Sequence, residues 1–508
     1  MRHRTTEALL RGVLIFTAWT MLLTSLSAVP AAAGPWVKIK ANTTDGIINA
    51  LLTASSTGTP TTIVVAPGRY RFTQSFDTGV GPSLLPPVKT TVFVIGTDVG
   101  TTILDGSPTA TDGRIFTVTK GGWLVVRNLT ITHAGFTAND VSRGGGAAAN
   151  FGGYLEFDDC LLVANGTGAE NGAFGGAILS VNGRLGLERV TVMNNTAYDD
   201  GGGIAILGGT AVIHDSIISG NEAATEHHDS VGGGVLIFGP GATVTIGRST
   251  VSGNRAWGSG GGIYNSGTLW LSNSAVMENV SNNGEEEIFG ASVGGGITNA
   301  GLMRIKNGTV GGNETGTFGG GIMNGGRLFL RGTTIARNDV VGLVVGAPEP
   351  GDCPITFEGA CSGGGGVWNA EGGTVSSVRT VLANNTLLRP DDPFAMVGPD
   401  CGGRVQSEGY NALGDASGCD LRRSYVLHGQ PTQDQVGVDP RLGELQDSGV
   451  AGNAHYPLLP DSPLIDAGSN NWNLCDAVDQ IGQTRVDGNG DGNFGCDIGA
   501  IEFHRPYP

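Results

Sequence analysis

Near the C-terminus, oxygen-bearing side chains occupy every second position: Asp487, Asn489, Asp491 and Asn493, with Gly488, Gly490 and Gly492 between them. Carboxylate and amide oxygens in this alternation, on a backbone freed by glycine, curl around a hard cation, and Ca2+ is the expected occupant. A bidentate Glu belongs at the twelfth position of such a loop, but Ile498 stands there, so the neighbouring Asp497 is the expected substitute. A plain Gly/Asn/Asp turn is the competing reading. Any ion held here is expected to be structural. A second set of carboxylates, Asp199, Asp200 and Asp229, offers weak candidates for acid–base chemistry. His227 and His228 precede Asp229 and offer metal ligands, but adjacent His on a loop are more often solvated.

Seven Cys are spread unevenly: Cys160 stands alone, and Cys353, Cys361, Cys401, Cys419, Cys475 and Cys496 lie in the C-terminal third. Proximity in sequence suggests the pairs 353–361, 401–419 and 475–496, although connectivity among six Cys is formally open.

The elements that must position these groups are repeats. Glycine-rich triplets begin at Gly144, Gly175, Gly201, Gly232, Gly260, Gly294, Gly319 and Gly364. An Asn follows each by 19 to 22 positions: Asn165, Asn195, Asn221, Asn254, Asn279, Asn313, Asn338 and Asn385. Apolar residues align between these landmarks. Ala147, Ile178, Ile204, Val235, Ile263, Ile297, Ile322 and Val367 follow the triplets. Period-2 pairs such as Leu185/Leu187 and Leu269/Leu271 come next, then a column from Leu162 and Val192 to Ile335. Alternation with β-branched residues means strands with one buried face. Three short strands per unit, without hairpin turn signals, can coil once around and pair in parallel with the next unit. The spacing therefore predicts an all-β, right-handed parallel β-helix, with the Asn column as an amide ladder at a corner where Asn tolerates left-handed backbone. Cys160 falls in the column of Val190, Ser216, Ser249 and Ser274, which makes it a small packed residue rather than a nucleophile.

Two flanking segments complete the expectation. Asp45, Ile47, Ile48, Leu51 and Leu52 read as an amphipathic helix capping the open N-terminal end, before a first coil over 61–72. The C-terminal Cys imply a disulfide-containing cap at the other end. Arg2, Arg4 and Arg11, an apolar run over 13–26 and Ala31-Ala32-Ala33 predict a signal peptide over 1–33, cleaved between Ala33 and Gly34. Domain boundaries follow as 1–33, 34–394 for the β-helix and 395–508 for its end and cap. No transmembrane span is expected in the mature chain.

Several segments carry resemblances. Gly175-Gly176-Ala177-Ile178 with its Asn partner resembles the repeats of polymorphic outer-membrane proteins, without their usual Phe and without a following barrel region. Asp439-Pro440-Arg441-Leu442-Gly443, Ser462 to Gly468, Asp479-Gln480-Ile481-Gly482 and Cys496 to Phe503 resemble the bacterial choice-of-anchor Q family, and Asp400-Cys401 with Gly418-Cys419 resemble its preceding Cys pair. That resemblance covers roughly 395–503 and implies export at the end of a parallel β-helix, with no assigned chemistry. Arg304-Ile305-Lys306 resembles the basic tripeptide of polygalacturonases, and Asp158-Asp159 their acid pair. No Gly-His-Gly or Asn-Thr-Asp accompanies them, and the two cations read as solvent-facing neighbours of an inward Ile305.

Net charge is −17, and removal of residues 1–33 takes away three Arg and one Glu, giving about −19. Such a surface repels phosphate backbones, so nucleic acid is not an expected partner. Anionic polysaccharides are also disfavoured unless a metal or a local basic patch intervenes. Length varies only between Asn and the next triplet, so insertions gather at one corner, carrying Tyr198, Asp199, Asp200, Asp229, Trp257, Glu285, Glu286, Glu287 and Phe289. The expectation is a secreted or cell-surface monomer that binds glycan or a cell-envelope component, or mediates adhesion, through this ridge. The alternative is a polysaccharide lyase or glycoside hydrolase.

Overall fold

The structure describes residues 36–107, 113–136, 144–168, 173–224, 229–281, 292–341, 362–387, 396–423, 433–469, 474–485, 487, 490, 492 and 495–505. In this computed structural model the repeats wind into a right-handed parallel β-helix, and 31 strands join one hydrogen-bonded network. Each coil contributes a strand to each of three sheets. The first sheet runs from Phe116–Val118 through Ala148–Phe151, Ile178–Val181 and Val367–Asn369 to the start of Cys401–Gly409. The second starts at Val37–Ala41, one coil earlier than the sequence suggests, and passes through Trp123–Arg127, Tyr154–Asp158 and Thr374–Val378 to Cys419–Arg423. The third runs from Gly68–Arg71 through Leu161–Val163 and Val381–Ala383 to Gln435–Val436. A further ladder of two-residue strands, from Thr196–Ala197 to Thr386–Leu387, follows the Asn column.

The apolar columns form one continuous core. Ile204, Val235, Ile263, Ile297 and Ile322 pair in register and are fully buried. The first unit is out of phase with its reading from sequence: Ala148, not Ala147, pairs with Ile178. Gly145 (φ 68°) rather than Gly144 occupies the position of Gly175 (φ 71°). One left-handed backbone position sets the corner, so the glycine that takes it, not the first of the run, fixes the phase. In the later units the third glycine leaves little room, since a Cβ at Gly262 would lie 2.9 Å from the side-chain amide of Asn279, whereas Ala147 and Ala177 take that position in the first two units.

The Asn ladder forms as expected. Asn279 donates from its backbone N (3.0 Å) and its Nδ2 (2.9 Å) to Asn313 Oδ1, and Asn313 Nδ2 donates to Val276 O and Asn338 Oδ1. The left-handed residue, however, is the one before each Asn: Ala164, Asn194, Gly220, Gly253, Glu278, Gly312, Arg337 and Asn384. The ladder Asn keeps ordinary backbone because its side chain must point inward along the stack. A second amide ladder, Asn265–Asn299–Asn324–Asn369, with Nδ2 to Oδ1 distances of 2.7 Å, turns the chain from the first sheet into the second.

Both ends are closed. The helix Thr44–Thr57 buries Ile47, Ile48, Ala50, Leu51 and Ala54 against the first coils, with Thr43 as its N-cap and Gly58 (φ 65°) ending it. Asp45 sits in its first turn. At the other end Cys401 bonds Cys419, while Cys475 bonds Cys496 within the segment that returns along the flank. Cys160 is a free, buried thiol, pushed up to about 12 by burial. Cys353, Cys361, Ala33 and Gly34 lie outside the described residues. Among the described residues no helix is long and apolar enough to cross a membrane.

After the last solenoid strand at Gln435–Val436, the chain does not simply stop. It folds back along the flank as a flap: Gly452 N donates to Thr250 Oγ1, and Asn273 Nδ2 donates to Asp479 O. Leu442, Tyr456, Leu458, Leu464 and Ile498 cover the outward Ala275, Met277, Ala336, Val381 and Ala383 of the third sheet. A buried ionic core pins the flap, with Arg379 and Arg331 on Asp476 and Arg485 on Glu502.

Asn313→Ala removes the acceptor of two buried donors and the donor to Val276 O. It should cost at least about 2 kcal/mol, read as a lower midpoint in urea or thermal unfolding.

Candidate functional site

The loop ridge and the outer face of the first sheet meet in one place. Inward residues of this sheet alternate with outward ones, so Ala149, Leu179, Ala205, Leu236 and Tyr264 form an outward column in register. Beside it, Phe151, Val181, Leu207 and Phe238 form a second column. Phe174 and Val231, from the ridge, pack against the first column. Phe238 is 56% exposed. The ridge therefore buries Ala149, Leu179, Ala205 and Leu236, and the apolar surface left outward is the second column, with Phe151, Val181 and Leu207 half-buried and Phe238 exposed, beside the half-buried Tyr264.

Carboxylates rim this surface. Asp199 Oδ2 accepts from Ala173 N (3.2 Å), and Asp200 Oδ1 accepts from Val231 N (2.8 Å). Burial pushes the Asp200 carboxyl up to about 6, and the charges of Asp199 and Asp229 push in the same direction. Burial, then the charge of Asp200, raises the Tyr264 hydroxyl. The three Asp singled out in sequence therefore act on one another electrically, at the edge of the apolar columns. Trp257 Nε1 donates to Glu222 Oε1 (3.3 Å), and the Arg255 guanidinium lies over its ring at 5.6 Å. His227, His228, Glu285, Glu286, Glu287 and Phe289 lie outside the described residues.

Sequence reasoning missed the apolar columns. The signal was present in Ile178-Leu179 and in Val235-Leu236-Ile237-Phe238, where apolar residues of both parities mean that both faces of the strand are apolar.

A second cluster sits at the corner between the second and third sheets. Glu188, His214 and Asp215 bring one ligand atom each within 4.8 Å of one another. Arg248 already serves this group, donating to Asp215 Oδ1 (2.7 Å) and meeting His214 Nδ1 (2.9 Å). Arg189 likewise pairs with Asp158, Asp159 and Glu188. Asp158-Asp159 are thus members of a corner ion ladder. Asp159, Arg189, Asp215 and Arg248 are successive left-handed positions of that corner.

In the proposed cation loop, Asp487 accepts from the backbone N–H groups of Gly490 (2.6 Å) and Gly492 (2.8 Å). Asn489, Asp491 and Asn493 lie outside the described residues. Asp497 is buried in the flap, where its Oδ1 accepts from Asp466 N (2.7 Å) and its Oδ2 from Phe503 N. Burial, then the charge of Glu502, raises its carboxyl above the usual carboxylate range.

No protein-family profile matches the chain, and no curated protein does. Among solved structures, pectate lyase Pel9A is 13% identical, covering 93% of this chain and 98% of that one, with a TM-score of 0.38. The A-module of the Azotobacter vinelandii mannuronan C-5 epimerase AlgE4 is 12% identical, covering 80% of this chain and 96% of its own, with a TM-score of 0.34. The AlgE6 A-module of the same organism is 14% identical over 80% and 96%, with a TM-score of 0.31.

Because Asp200 holds its proton more tightly folded than unfolded, it stabilises the fold below its ordinary value of 3.8, and that contribution is lost as pH rises toward about 6. Asp200→Asn keeps the acceptor for Val231 N and does not titrate. Thermal midpoints of the variant should therefore fall less between pH 4 and pH 6 than those of the parent.

Proposed function

We propose that the protein is an exported glycan-binding protein whose ligand lies along the outer face of the first sheet, beneath the loop ridge. The observation that carries this reading is the outward column Phe151, Val181, Leu207 and Phe238, with Tyr264 beside it, next to the ridge that carries Asp199, Asp200 and Asp229. Ligand sites are mostly apolar with a few placed polar groups, and sugars present C–H faces to the first and hydroxyls to the second. Loops of variable length on a rigid scaffold are where recognition is built.

A second reading has its own support. A carboxyl held up to about 6 beside two further carboxylates is the acid–base pattern of glycoside hydrolysis. One set of samples separates the two. Neutral glycans immobilised in native gels should retard the protein, and Tyr264→Ala should weaken that retardation at least tenfold. Absence of retardation by every neutral glycan tried would remove the binding reading. New reducing ends that disappear in Asp200→Asn would make the site hydrolytic.

Three further features belong to the same proposal. The N-terminal Arg2, Arg4, Arg11 and apolar run support secretion, with Gly34 as the first residue of the mature chain. The choice-of-anchor Q reading is supported by the way its segments hold one another: Ser462 Oγ donates to Pro440 O, Asp466 N to Asp497 Oδ1, and Glu502 N to Asp479 Oδ2. Ca2+ at 487–493 is supported by the alternation of oxygen ligands and by the turn that Asp487 closes. Millimolar Ca2+ should raise the thermal midpoint, and Asp487→Ala should abolish the rise.

A further inference from the structure

The flap has a fastening beyond its apolar contacts. Arg379 is fully buried, at a left-handed corner position of the solenoid (φ 52°). Its donors reach three points of the flap: Nε donates to Leu474 O (3.1 Å), Nη2 to Asp476 Oδ2 (3.3 Å) and Nη1 to Asp497 O (3.2 Å). Leu474 and Asp476 flank Cys475, and Asp497 follows Cys496, so the disulfide between these Cys holds the two halves of the acceptor set together. Gly468 packs against the same group. Its N donates to Cys496 O (2.7 Å), and a Cβ there would lie 3.1 Å from Cys496 Sγ and 3.2 Å from Arg379 Cδ.

Among the described residues the flap forms no strand or helix after Gln435–Val436. A segment without a ladder of its own is held by cross-links and side chains. If the two halves part, Arg379 remains as a buried guanidinium that has lost acceptors, and an ion stranded in this way strongly disfavours the docked state. The solenoid does not lean on the flap, because its coils bond one another and Cys401–Cys419 fastens its own last coils. We propose that Cys475–Cys496 is a redox latch: joined, it docks the flap on the third sheet, and reduced, it releases the flap while the solenoid stays folded. Cys475 is half-buried and Cys496 buried, so Cys475 is the sulfur open to attack. The reductant is a dithiol. Its first thiolate bonds to Cys475 Sγ, the Cys475–Cys496 bond breaks, and Cys496 leaves as a thiolate that takes up a proton. The second thiol of the reductant then displaces Cys475, so that two thiols remain here and the reductant carries the disulfide. Release uncovers Ala275, Met277, Ala336, Val381 and Ala383. That part of the third face is thus presented only by the reduced chain, and an oxidising compartment keeps it shut. The latch does not depend on what the loop ridge binds.

The test uses the full mature chain and hydrogen exchange read by mass spectrometry. Flap reporters are the amides of Gly452, Gly499 and Ala500, which donate to Thr250, Arg379 and Thr334 of the solenoid. First-sheet peptides carrying Ile263 and Ile297 report on the solenoid. Excess dithiothreitol should speed flap exchange at least tenfold and leave first-sheet exchange unchanged. Cys475→Ser/Cys496→Ser should do the same without reductant, and Cys401→Ser/Cys419→Ser should not. Arg379→Gln should free the flap with the disulfide intact, a result that a cross-link acting only on the unfolded chain would not produce. The proposal is overturned if dithiothreitol or Cys475→Ser/Cys496→Ser leaves flap exchange at the parent rate, or if Cys401→Ser/Cys419→Ser accelerates it equally. Equal acceleration of the first-sheet peptides, which is global unfolding, overturns it too. Parent-like exchange in Arg379→Gln overturns the assignment of Arg379 as the group that the latch grips.

Discussion

Each carboxamide in the buried Asn column is used at both of its ends. Asn195 Oδ1 accepts from the backbone N and from the Nδ2 of Asn165, while Asn195 Nδ2 donates to Leu162 O and onward to Asn221 Oδ1. The same pattern recurs through Asn254, Asn279, Asn313 and Asn338 to Asn385. In a dry interior, a donor or acceptor stranded by a shift of register costs about 1–3 kcal/mol. Every coil must therefore arrive at this corner in the same phase. That constraint explains why the stretch from glycine to Asn hardly varies in length, and why insertions leave only after the Asn, where the chain is outside the ladder. The position of the loop ridge is thus a consequence of the amide ladder.

A polar stack also needs an end. An amide terminating it would leave its Nδ2 without a partner, whereas a carboxylate only accepts. The Asn column ends on Asp400, whose Oδ1 takes both the backbone N and the Nδ2 of Asn385 and whose Oδ2 takes Asp415 N. The neighbouring corner column follows the same rule. Ser216, Ser249 and Ser274 accept backbone N–H groups from one coil before, Asn411 accepts from Thr380 N, and Asp434 accepts from Asn411 N. Cys160 occupies that column between Leu129 and Val190, where burial raises its thiol. At the other end the helix Thr44–Thr57 supplies an apolar lid, since the first coils have no ladder to close.

Period-2 columns and the Gly-to-Asn interval made the solenoid legible, because burial on one face of a strand leaves a direct trace in residue type. The inward residues Ile204, Val235 and Ile263 could be named from that trace alone. Outward residues leave a weaker one. Leu179, Leu236 and Tyr264 differ from coil to coil, and only the apolar runs at 178–179 and 235–238 betray them. The return of the flap along the third sheet was not legible, because its trace is the smallness of Ala275, Ala336 and Ala383, which reads as ordinary variation. The left-handed corner was assigned to the Asn itself, whereas the backbone turns one residue earlier and is shared by Ala164, Glu278 and Arg337, types with no preference for it. Tertiary stacking overrides local preference there.

The flap decides which surfaces are left for partners. Third-sheet strands before it, such as Leu161–Val163 and Thr191–Met193, alternate buried and half-buried residues, whereas Val381–Ala383 is buried on both faces. The flap withdraws the third face over its later coils and spends Asp476 on Lys306, Arg331 and Arg379 at the edge of the second. What stays open is the column of Phe151, Val181, Leu207 and Phe238 on the first face, beside the carboxylates of the ridge, and the outer face of the second. These faces meet at the Asn265–Asn369 ladder, a rigid, fully bonded corner that fixes their angle. A solenoid so braced cannot close around a ligand as a hinged domain does. Its recognition must come from residues already in place, repeated at the spacing of the coils, and that favours long ligands over small ones.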